Sequence, residues 1–278
     1  MRPFGALIRK HLHDTRGTLI LSGAALFALG WLFVYVTSLR EGKILEALAS
    51  DADDGRIGIM RNMGVEEQSV SAAIMMAFWV HPFIHLIISV WAIGRGSSAV
   101  GAEVERGTLD LILSRPVSRF SYLLSHVIIA IFGLYFLALS LAAGARLGGH
   151  FNFLRVPLSS WMLLRPALNL GALGLPIYGY TLLASALDHV RWRPTMIGST
   201  LTLAAFIARV ISLIPDLQRF AWTGYLGRIT IFKLYDPVDA VTGAEKLGFH
   251  IAVLAGIATT CIVLAFVGFA HRDLPANG

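Results

Sequence analysis

Charge is what this chain has least of. Asp, Glu, Lys and Arg make up 14% of its 278 residues and 56% are hydrophobic, whereas a soluble domain is about one quarter charged. The few charges cluster, leaving charge-free windows near the roughly 20 residues that cross a bilayer core. An ordinary water-soluble globule is excluded on that pattern. A single cysteine, Cys261, lies inside an apolar run, which excludes an intrachain disulfide and a cysteine-rich metal site. No G-x-x-x-x-G-K-S/T loop occurs, so the chain lacks the phosphate cradle it would need to spend ATP itself. No Asp or Glu falls within any long apolar window, which argues against a polytopic enzyme holding a lipid pyrophosphate with paired carboxylates. No internal repeat, low-complexity tract or long linker divides the sequence, so residues 1–278 read as one domain.

What is present is a series of six apolar windows, at residues 17–39, 70–94, 120–145, 166–187, 194–214 and 248–270. Each predicts a membrane-spanning helix, and the fold expected is all-α. The first window exceeds the about 7–15 residues of a signal-peptide core, so it reads as a retained span. The fifth requires Arg209 to snorkel toward an interface while the helix continues to Pro215. Ahead of the first span, Phe4, Leu7, Ile8 and Leu12 recur at helical spacing, which predicts an amphipathic elbow helix over 1–16 on the membrane surface.

Basic residues orient such a chain, because cytoplasmic loops keep an excess of them. The segments 1–16, 94–119, 188–193 and 271–278 carry eleven Lys and Arg in 56 residues; the segments 40–67, 146–165 and 215–246 carry eleven in 80. The higher basic density of the first set places both termini in the cytoplasm of a cell-membrane protein. The formal charge of +6 suits anionic headgroups; no basic, aromatic-interleaved run points to nucleic acid.

The inner connection between spans two and three is the most informative stretch. Gly107 permits a tight turn, Thr108 is a good N-cap, Asp110 puts negative charge in a first helical turn, and Pro116 ends the helix after Arg115. Ser118 then caps span three. Leu109, Ile112 and Leu113, at i, i+3 and i+4, form one apolar face, and Leu111 adds to the apolar run of the same segment. A helix of barely two turns is not stable alone. Its face must bury against the membrane surface, the chain's own helices or a groove on a partner.

Glu103, Glu105, the run Gly107-Thr108-Leu109-Asp110, the apolar Leu111-Ile112-Leu113 and then Arg115-Pro116 resemble the inner loop of the membrane subunits of type-2 ATP-binding cassette (ABC) exporters. The resemblance extends to the whole architecture of elbow helix, six spans and internal termini. It also covers the ending Ala270-His271-Arg272-Asp273-Leu274, although His271 stands where that family commonly has a second basic residue. The resemblance implies that 107–116 is a coupling helix seated in a cleft of a separate ATPase subunit. It implies a permease and not an enzyme, with no cofactor bound by this chain and ATP and Mg held by the partner. It further implies pairing with a second copy or a similar subunit, and short re-entrant helices between spans five and six. A non-transporting membrane scaffold or sensor on the same fold remains open, and composition does not choose a substrate.

Other residues carry open readings. His81 and His85 stand four apart in span two, open to hydrogen-bonded packing, a place in a substrate path or metal ligation; no H-E-x-x-H accompanies them. His126 and His250 read as packing or interfacial residues. Gly23, Gly144, Gly171, Gly174 and Gly198 read as points of close helix approach.

Overall fold

A computed structural model describes residues 3–49, 78–108, 117–152, 159–242 and 245–272. Among these residues the chain is all helical, without a strand. In chain order its helices are α1 (Pro3–Ala49), α2 (Pro82–Ser98), α3 (Gly101–Glu105), α4 (Arg119–Phe151), α5 (Ser160–Leu187), α6 (Trp192–Leu213), α7 (Ala221–Ile229), α8 (Pro237–Thr242) and α9 (Leu247–Ala270). Five described helices are long and apolar enough to cross a membrane: α4, α5, α6, α9 and the Phe4–Leu39 part of α1. This is the architecture of a multi-pass membrane protein. α2, at 17 residues, is about 25 Å long. The window for span two starts at 70, and its first residues lie outside the described ones.

Local chemistry explains where the helices begin. Ser118 accepts the Ser121 N–H at 3.1 Å and Ser159 accepts the Met162 N–H at 3.2 Å, so serine caps open α4 and α5. Pro82 takes the first position of α2, where its missing N–H costs nothing. α5 begins six residues ahead of the expected 166 and runs through Pro166 and Pro176, as tightly packed membrane helices allow. α4 outruns its window to Phe151 because Arg146 sits on an exposed face. α6 and α9 end close to where the sequence placed them.

The expected elbow over 1–16 is instead the first four turns of one uninterrupted helix. Nothing breaks the chain there: the Thr15 hydroxyl donates to the His11 carbonyl at 2.6 Å and the Thr18 hydroxyl to the Thr15 carbonyl. The buried stripe is Leu7, His11, Thr15 and Leu19, continuous with Leu26 and Val34 further along. It differs from the Phe4-Leu7-Ile8-Leu12 face, since Leu12 is exposed. A stripe of period near 3.6 facing one partner keeps the helix straight across the boundary.

α5 is the hub. Of its most apolar stretch 78% is buried, against 17% for α6 and for α9, and it packs on α2, α4, α6 and α9. α1 lies on α4. Their axes come close because Gly144 has no side chain: a Cβ there would overlap the Phe27 carbonyl, the close approach that small residues permit in membranes.

The two ends of this bundle differ. At one, called the near end, the expected inner segments meet. Lys10 reaches Glu103, Glu105 accepts the Arg191 N–H, Arg119 donates to the carbonyls of Phe269, Ala270 and Arg272, and Arg272 donates to the Ala186 carbonyl. At the far end, α7 doubles back along α6. The Thr230 hydroxyl donates to the Ala205 carbonyl at 2.7 Å, and Phe232 and Tyr235 are buried.

Candidate functional site

At the near end a polar cavity of about 530 Å³ opens between α1, α2 and α4, with α3 and residue 191 at its rim. The rings of His11 and His126 meet there at an angle of 40°, with centroids 3.8 Å apart, and Tyr122 packs edge-on against both. His126, 4% exposed, has no hydrogen-bond partner on either ring nitrogen. His11 Nε2, Trp91 Nε1 and Arg95 Nε are likewise buried and unpartnered. A buried polar group without a partner costs about 1–3 kcal/mol. Around them, Lys10 lies 3.4 Å from both Asp14 and Glu103, and the exposed Arg106 and Arg191 flank the opening.

The turn that leads into the expected docking segment is built onto this cavity's rim. The Ser185 hydroxyl of α5 accepts the N–H groups of Val100 and Gly101, the latter at 2.9 Å, and donates to the Ser97 carbonyl at 3.0 Å. The Tyr122 phenol of α4 donates to the Ala99 carbonyl at 2.6 Å. The α2–α3 junction is thereby fastened to both α4 and α5. α3 ends in a Schellman arrangement, with the Gly107 N–H on the Val104 carbonyl and the Thr108 N–H on the Glu103 carbonyl. Gly107 takes φ +67°, the left-handed region that glycine enters without strain. The Thr108 hydroxyl donates back to the Glu103 carboxylate.

Of the residues the sequence singled out for docking, Glu103, Glu105, Gly107 and Thr108 therefore form one short capped turn. Leu109, Asp110, Leu111, Ile112, Leu113, Arg115 and Pro116 lie outside the described residues. Ser118, beyond them, caps α4 as expected.

No model of a known protein family matches this chain, and no curated protein matches it.

The histidines of span two separate. His81 is extended and precedes the helix, where its Nδ1 accepts the Phe83 N–H at 3.4 Å; it does not share a helix face with His85. His85 is buried at the far end among Phe206, Phe232 and Tyr235, its ring 5.0 Å from that of Tyr235. No cluster of three His, Cys, Asp or Glu exists among the described residues. Burial pushes the Tyr235 phenol well above its ordinary value, so it stays a donor, here to the Trp79 carbonyl at 2.9 Å.

Sequence reasoning missed the cavity. The sequence reads His126 as a packing or interfacial residue and gives Arg95 no role. One signal was available: ionisable residues within apolar windows are functional candidates. The juxtaposition of residues 11, 95 and 126 from three helices leaves no local spacing to read.

Proposed function

We propose that this chain is the permease subunit of an ATP-driven exporter, with a separate ATPase seated on segment 107–116 and a second copy or similar subunit completing the transporter. In this reading α1, α2 with the residues before it, α4, α5, α6 and α9 are six crossings, and the near end is cytoplasmic. The meeting of residue 10 and residue 272 with the same set of loops supports an even number of crossings, because an odd number separates the two termini. The doubled-back α7 and α8 fit the re-entrant elements expected between spans five and six.

The observation that carries the proposal is the fastening of the α2–α3 junction by Ser185 and Tyr122. A force that reaches the α2–α3 junction is passed through these bonds to α4 and α5 as well as α2. Closure of the ATPase pair would then tilt the helices as rigid bodies and alternate access to the two sides. Positioning and motion are the work of this subunit, and no residue of it performs covalent chemistry.

The test is a double substitution, Leu109→Asp with Ile112→Asp, in the chain co-expressed with its ATPase subunit. Two charges in an apolar groove cost several kcal/mol unless paired, enough to dissolve a modest interface. The variant should insert in the membrane and fail to co-purify with the ATPase. Normal co-purification and transport by the variant would show that 107–116 is not the docking element.

A further inference from the structure

The near-end cavity concentrates unsatisfied polar groups. Five of the ten buried, unpartnered side-chain nitrogen and oxygen atoms among the described residues belong to His11, Trp91, Arg95 and His126, and all four residues line it. Groups that lose water on folding are normally given another partner, and here the chain supplies none. The charges around them are unequal. The carboxylates of Asp14 and Glu103 share Lys10, and Thr108 also donates to Glu103. Arg95, Arg106 and Arg191 make no ion pair with a described residue.

We propose that this cavity binds a phosphate-bearing anion, held by Arg95, His126 and the Trp91 indole N–H, with Arg106 and Arg191 drawing it in at the mouth. Guanidinium is a planar fork that matches phosphate oxygens in pairs and is more weakly hydrated than an ammonium. The indole and a neutral imidazole add one N–H donor each. At about 530 Å³ the space exceeds a phosphate alone. Its wall reaches Ser22 of α1 and Val90 of α2, and Val90 is 60% exposed on the outside of the bundle. A phosphate carried on a lipid could leave its chains along that side, and a soluble phosphate compound could enter from the end.

The site goes beyond the permease reading and its test needs no ATPase, so either can fail alone. The purified full chain in detergent is titrated with inorganic phosphate, dioctanoyl phosphatidic acid and, as the phosphate-free control, dioctanoylglycerol. Binding is read by native mass spectrometry and by the shift in thermal unfolding. The wild type should bind at least one phosphate probe and unfold at a higher temperature with it. Arg95→Gln and His126→Gln should each weaken binding roughly tenfold or more, while Arg165→Gln, at the far end, should not. Without ligand, Arg95→Gln should unfold at or above the wild-type temperature, because it removes an unpaired guanidinium; if that variant misfolds, His126→Gln decides. Binding of phosphatidic acid alone identifies a lipid headgroup as the source, and binding of inorganic phosphate identifies a soluble one. The proposal is overturned if neither phosphate probe binds the wild type, if His126→Gln binds as the wild type does, or if dioctanoylglycerol binds as tightly as phosphatidic acid.

Discussion

The two ends of the bundle treat buried polar groups in opposite ways. At the far end, Asn169 is fully buried in α5 yet spent on both sides: its amide donates to the Leu234 carbonyl at 3.1 Å and its oxygen accepts the Asp236 N–H at 3.0 Å. Tyr235 and Thr230 close the same seam. Two unpartnered atoms remain there, on His85 and Trp79. At the near end the backbone junctions are equally well tied, but the side chains around the cavity are not. Satisfied polar groups specify a unique packing; unsatisfied ones on residues that line a cavity leave room for a ligand to complete them. The far end ties its buried polar groups to backbone, and the near end leaves several of its own untied.

That contrast can be broken by substitution. Asn169→Leu strands two backbone groups and should cost the most, about 2–6 kcal/mol at roughly 1–3 per orphaned group; thermal unfolding in detergent measures it, and a neutral outcome would remove the seam from the comparison. Tyr235→Phe deletes one hydrogen bond and leaves the Trp79 carbonyl alone, with an expected loss of about 1–2 kcal/mol in the same assay. The smallest effect belongs to the near end. Lys10→Gln breaks the links to Asp14 and Glu103, but both Lys10 and Asp14 are at least two-fifths exposed, so screening holds the cost below about 1 kcal/mol. A loss at Lys10 larger than that at Asn169 would invert the comparison.

The sequence made the helices legible and the site illegible, for different physical reasons. Apolar windows bounded by charge located α6 and α9 to within a few residues, because a bilayer core imposes one length on every crossing. The same rule under-read α4 and α1, where Arg146 and Arg16 lie on exposed helix faces and do not stop the helix. The glycines read as close-approach points do meet neighbouring helices, as at Gly144 and Gly198. The turn at Gly107 was legible because left-handed backbone is a local demand. The cavity was not, since its character comes from which partners its polar atoms lack, a property of three packed helices and of no single segment.

α1 has one more consequence. At about 1.5 Å per residue, its 47 residues form a rod of about 70 Å, packed on α4 and linked to the turn after α3 through Lys10 and Glu103. A hinge at residue 16 would have let the first turns move without the rest. Lacking one, the rod works as a lever arm: a tilt of about 5° around its near end sweeps the other tip through about 6 Å, more than one strand spacing. A tilt of α1 is therefore carried along the whole rod, with no break in the helix to absorb it.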